Sequence, residues 1–145
     1  MPQKDLYHDL VKKALISENW NITDDPLFLS FGGKNTYVDL GAEKIIGAEK
    51  NNQRIAVEIK SFLGPSQLHD LELAIGQYNL YRDMLSEIDP ERLLFLAVPN
   101  RIFKSLLNEP LGELIRKRQN LLLIIFDEHK ERILQWLTQS NTTVS

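Results

Sequence analysis

"RIAVEIKSF", Arg54 to Phe62, is the stretch on which the fold turns. Its β-branched residues recur at period two, which predicts a strand with Ile55, Val57 and Ile59 on one face and Ala56, Glu58 and Lys60 on the other. The apolar trio is the core face. Glu58 and Lys60 are same-face neighbours near the strand end, where the chain leaves through Phe62 to Pro65. Taken alone, such a pair reads as a solvated face; with a second acid nearby it reads as a site.

Working outward, "LFLSF", "TYVDL" and "KIIGAEK" are short segments rich in Val, Ile, Phe and Tyr, separated by Gly32, Gly33, Asn35, Asn51 and Asn52. They predict consecutive antiparallel strands leading into Arg54–Phe62. Before them, Leu6, Leu10, Val11, Ala14 and Leu15 lie at three-and-four spacing, an amphipathic helix over Asp5 to Ser17. After them, Ser66 is an N-cap candidate, and Leu68, Leu71, Ile75, Tyr78 and Leu85 stripe a long helix that stops near Asp89-Pro90. "RLLFLAVP" and "NLLLIIFDE" are almost continuously apolar, as strands covered on both faces are, with "IFKSLLNEPLGELIRKR" as helical crossover between them. "KERILQWL" reads as a last helix. The fold class is α/β, a mixed sheet flanked by helices, in one domain over residues 1–139 with "SNTTVS" (140–145) as a polar tail.

The chain of 145 residues is 43% hydrophobic, which suffices for one core. No apolar run approaches the roughly 20 residues that cross a bilayer, and the first residues resemble no secretory leader. A soluble, cytoplasmic protein with no membrane partner is the expectation. Cysteine is absent, so any metal must sit on oxygen or imidazole. Net charge is −3, which argues against simple coating of nucleic acid yet suits an enzyme whose carboxylates hold a divalent cation against phosphate. Lys12-Lys13 and Arg116-Lys117-Arg118 are the basic clusters, each expected to be a solvated face.

Asp39 lies nineteen positions before Glu58. A turn at Asn51-Asn52 would set Ile45 opposite Glu58, so Asp39 reaches it only if Gly41 bends or bulges the strand; Glu43 and Glu49 are the alternative second acids. Asp39, Glu58 and the carbonyl of Ile59 are hard oxygen ligands suited to Mg²⁺ or Mn²⁺. Lys60 beside them can orient a water and stabilise charge on a scissile phosphate. Gln77 and Tyr81 stand four apart on one helix face, where packing against the sheet is their simplest role. Asp5 and His8 are three apart on the first helix, and His8 is expected at its surface.

Asp39, Glu58-Ile59-Lys60 and Gln77-x-x-x-Tyr81 in this order of elements resemble the PD-(D/E)xK nuclease superfamily. Val38 departs from its pattern, standing where Pro usually precedes the first acid. Across roughly Lys4 to Leu137, "YVDLGAEK", "IAVEIKSFLGPS", "AIGQYNLYR" and "LFLAVP" are similar to XisH, the fdxN-element excision controlling factor family of cyanobacteria. The resemblance implies a restriction-endonuclease-like fold and a role in programmed excision of a DNA element, beside a site-specific recombinase and a small XisI-like companion. It implies Asp39 and Glu58 as metal ligands, Lys60 as catalytic lysine, Gln77 and Tyr81 as aligning groups, and His8 as a further site residue. A Mg²⁺-dependent DNA endonuclease, for which a homodimer would suit paired cuts, stands beside a noncatalytic accessory and a partner-binding domain.

Overall fold

β5 (Asn51–Ile59) is the strand on which the two halves of the sheet meet. The computed structural model describes residues 5–46, 51–139 and 142–144. Seven strands run in the order β1 (Asn21–Asp24), β4 (Leu40–Ile46), β5, β6 (Leu93–Pro99), β7 (Leu123–Asp127), β8 (Arg132–Gln139) and β9 (Thr142–Val144). β5, β6 and β7 are parallel, and every other pairing is antiparallel. A separate hairpin of β2 (Leu27–Phe31) and β3 (Lys34–Val38) precedes β4.

Parallel neighbours need crossovers, and helices supply them. α2 (Gln67–Ile88) joins β5 to β6; Ser66 caps it by accepting from His69 N–H, and it stops before Asp89-Pro90 as the sequence predicts. α3 (Asn100–Ile102), a π-helical turn over Phe103–Leu107 and α4 (Pro110–Gln119) join β6 to β7. α4 carries Pro at its start, basic residues in its last turn and left-handed Asn120 at its end, which suit its dipole and leave its last carbonyls partnered. Tyr78 ties α2 to the sheet: its hydroxyl donates to Leu94 O and accepts from Leu122 N–H.

Both faces of the sheet are covered, as the apolar runs of β6 and β7 require. Leu71, Tyr78, Leu85, Leu96 and Ile102 belong to the core under α2 and α3. Val11 and Leu15 of α1 (His8–Ser17) pack with Ile55, Val57, Phe95 and Phe126 on the other side. Trp20 and Trp136 stack there at 5.6 Å, and Trp136 Nε1–H donates to Glu18.

Three expectations need correction. "KERILQWL" is strand β8, not a helix. Its pairing with β7 slips by one residue between Ile125 and Phe126, so Ile133 and Trp136, three apart, both pack on the α1-side core. That irregularity imitates helical spacing. The β4–β5 register sets Ile45 opposite Asn52 and Leu40 opposite Val57, which brings Asp39 to Glu58 with no bulge at Gly41. His8 is not at the surface but buried.

β1 had no sequence-based counterpart. Thr142–Val144, expected within a polar tail, pairs with β8, while Ser140, Asn141 and Ser145 lie outside the described residues.

Candidate active site

Asp39 sits at the break between β3 and β4, and Glu58 one residue before the end of β5. Asp39 N–H donates to Glu58 Oε1 at 3.3 Å, and Ile59 N–H, next along β5, donates to Asp39 Oδ2 at 2.7 Å. Ile59 N–H points toward β4, so its carbonyl, on the same edge of the strand, does too. Lys60 Nζ lies 3.5 Å from Glu58 Oε2, and its backbone N–H continues the ladder by donating to Ala97 O. Glu58, lined up with Lys60 as strand alternation predicts, is only 5% exposed because α2 covers that face.

Burial and the charge of Asp39 push the Glu58 carboxyl up to about 8. Burial also raises Asp39, against the lowering effect of the Ile59 N–H, the hydrogen bond with Glu58 and the positive fields of His8 and Lys60. Two carboxyls in one dry site resist ionising together, and a positive charge placed between them would relieve both.

α1 closes one side. His8 is 3% exposed, and its Nε2 meets Asp25 Oδ1 at 2.6 Å. Lys12 also donates to Asp25, at 2.8 Å. Burial would raise Asp25, but these hydrogen bonds outweigh it and hold its carboxyl below the ordinary value. His8 Nδ1 is buried with no hydrogen-bond partner. Asp5 pins the start of α1 to the strand end, accepting from Tyr7 N–H and from Ser61 N–H. α2 closes another side. Burial raises the Tyr81 phenol, with the charges of Glu58 and Asp39 adding and a hydrogen bond with Thr36 opposing. Gln77, one turn earlier, has a buried Oε1 without a partner.

The structure thus brings Asp39, Glu58 and Lys60 together, sets His8 and Tyr81 within electrostatic reach of the acids, and leaves Gln77 with an unsatisfied oxygen on the Tyr81 side of α2. Glu43 faces Arg54 in the ladder, away from this cluster, and Glu49 lies outside the described residues. Of the basic clusters, Lys12 is engaged with Asp25 and Arg116 is buried, with Nε donating to Leu107 O and the guanidinium over Phe103, while Lys13, Lys117 and Arg118 are exposed as a solvated face requires. Sequence reasoning missed Asp25 and Arg101. The Arg101 guanidinium donates to the carbonyls of Ser61 and Phe62, and Phe62 adopts a left-handed φ of 53°, sparsely populated for a non-glycine residue. Short polar segments such as Asp24-Asp25-Pro26 carry no periodicity that could have marked Asp25.

Among the described residues no three His, Asp or Glu side chains converge at metal-ligand spacing. The donor set is therefore two carboxylates and the Ile59 carbonyl. It fits a Mg²⁺ or Mn²⁺ ion that keeps several waters, because such ions need few protein oxygens, and because the paired acids lack a full counter-charge.

Fold and site together define a mixed-sheet α/β protein with a buried acid and a lysine at the carboxyl end of β5 and a second, half-buried acid beside them. The chain belongs to the XisH family, whose sequence profile, XisH protein, matches residues 1–134. Two crystal structures are similar: an XisH family protein from Nostoc punctiforme and an fdxN element excision controlling factor protein from Anabaena variabilis. Each is 36% identical, with a TM-score of 0.83 over 92% of this chain and 99% of the other. No curated protein matches the chain. Among the described residues no helix is long and apolar enough to cross a membrane.

Proposed function

We propose that this protein takes part in excising a DNA element, and that it does so through a metal-dependent phosphodiesterase site of the PD-(D/E)xK nuclease kind formed by Asp39, Glu58 and Lys60. The observation that carries this reading is a buried acid, Glu58, hydrogen-bonded to the backbone of a half-buried one, Asp39, which is itself held by Ile59 N–H, with an ammonium 3.5 Å from Glu58. Structural role alone explains it poorly, since burying Glu58 beside a second carboxyl costs stability that an apolar residue would not. The name of the Anabaena relative supports the process assigned.

Asp39, Glu58 and the Ile59 carbonyl would hold Mg²⁺ or Mn²⁺. Such an ion supplies Lewis-acid polarisation of a phosphodiester and a more acidic water. Lys60 presents its ammonium to the phosphate and stabilises charge that grows there. Tyr81 and Gln77 bound the α2 side, and the Gln77 oxygen is available to a water or to Lys60. His8, held by Asp25, adds positive potential beside Asp39. The restriction-endonuclease-like fold, the XisI-like companion, the recombinase and a homodimer belong to the same proposal. A noncatalytic accessory role is the second reading, favoured by the lack of a third side-chain ligand among the described residues.

The deciding experiment incubates the protein, with and without the companion, on supercoiled DNA in Mg²⁺ or Mn²⁺. Nicking or cleavage that Lys60→Ala abolishes, with the circular-dichroism spectrum unchanged, is the expected result. Excision that proceeds normally with Lys60→Ala would establish the accessory role instead.

A further inference from the structure

The hairpin that leads into Asp39 has an exposed outer face. Its register pairs Leu27 with Val38, Phe28 with Tyr37 and Ser30 with Asn35. Directly opposed residues share a face, so Leu27, Leu29 and Val38 bury themselves in the α2-side core while Phe28, Ser30, Asn35 and Tyr37 face outward. Phe28 is 51% exposed and Tyr37 37%, and their ring centroids stand 5.4 Å apart at 58°. Left-handed Gly32 and Gly33 turn the hairpin tightly, and among the described residues nothing lies within 4 Å of where a Cβ would stand on either.

Charge narrows what could cover this face. From Leu27 to Val38 there is no acidic residue and one lysine, Lys34, in a chain whose net charge is −3. An anionic strand meets no repulsion from this segment, in contrast to the acid-bearing surface of α2 (Glu72, Asp83 and Glu87). Position narrows it further. Tyr37 is two residues before Asp39, about 7 Å along an extended chain at the usual strand rise. An aromatic pair at that distance from a phosphodiester site is placed to stack on bases adjoining the reacting phosphate; beside it Ser30 Oγ donates to Asn35 Oδ1 at 2.7 Å, which orients the Asn35 amide.

We propose that Phe28 and Tyr37 form a stacking platform for unpaired nucleobases, so that the substrate is DNA with single-stranded or branched character rather than intact duplex. Paired bases have their faces covered by their neighbours, whereas unpaired ones are free to lie on an aromatic ring whatever their sequence. This inference rests on the nuclease reading above for its choice of partner.

Fluorescence anisotropy of labelled single-stranded, forked and duplex oligonucleotides tests it, in EDTA so that neither cleavage nor metal enters. The full-length protein should bind single-stranded and forked DNA more tightly than duplex. Phe28→Ala with Tyr37→Ala should weaken that binding by roughly tenfold or more and leave duplex binding unchanged. Phe28→Tyr with Tyr37→Phe should restore it. Equal binding of forked and duplex DNA would overturn the proposal, as would wild-type affinity in the double alanine variant. A wild-type dimer that this variant converts to monomer would also overturn it, assigning the face to a second copy of the chain. The nuclease reading is tested independently by cation binding at Glu58, so either can fail alone.

Discussion

Asp39 and Glu58 lie across the end of β5 with the backbone N–H of Asp39 on Glu58 and the N–H of Ile59 on Asp39. Asp39 is thereby held by the end of β5 and Glu58 by the backbone that enters β4, so the β4–β5 register sets the two acids side by side.

A pH dependence follows from it. Glu58, ordinarily near 4.5, is pushed up to about 8 by burial and by Asp39, and Asp39 is raised as well. The native state keeps a proton that the unfolded chain has released, so stability falls as pH rises from about 4.5 through about 8. Urea midpoints of the metal-free protein should be higher at pH 5 than at pH 8, by at least ~1 kcal/mol in unfolding free energy. Glu58→Gln should flatten the dependence over that window.

Two glycines should respond in opposite directions. A Cβ at Gly76, in the middle of α2, would meet nothing within 4 Å, so Gly76→Ala should stabilise the fold by about 1 kcal/mol through helix propensity. A Cβ at Gly112 would lie 2.0 Å from Leu106 O, so Gly112→Ala must displace backbone. Thermal melts should show the first variant above wild type and the second well below it.

Trp136 joins β8 to the segment that follows α1, through Trp20 and Glu18, and to β6 through Phe95. Trp136→Ala should cost about 3 kcal/mol, measured by denaturant unfolding, while Trp136→Phe should lose less because it keeps the ring contacts.

How much of this was legible in the sequence differs by element. Period-two alternation in β5 and unbroken apolar character in β6 and β7 stated their burial directly, and Ser66 and Asp89-Pro90 marked both ends of α2. β8 misled because a one-residue slip in its pairing places Ile133 and Trp136 on the same face, which is what a helix would do. The site residues were legible as types, but their register was not: assigning the β4–β5 turn to Asn51-Asn52 shifted every pairing and hid the direct match of Asp39 to Glu58. Burial of His8 depends on Asp25, seventeen residues away across the first loop, and no local pattern encodes such a contact.

Isothermal titration of Mn²⁺ into the wild-type protein and into Asp39→Asn, Glu58→Gln and Lys60→Met tests the account most directly. Saturable binding that both acid variants lose and Lys60→Met retains is the predicted result. Absence of binding to the wild type, or binding that survives in both acid variants, would contradict the assignment of the acid pair as a cation site.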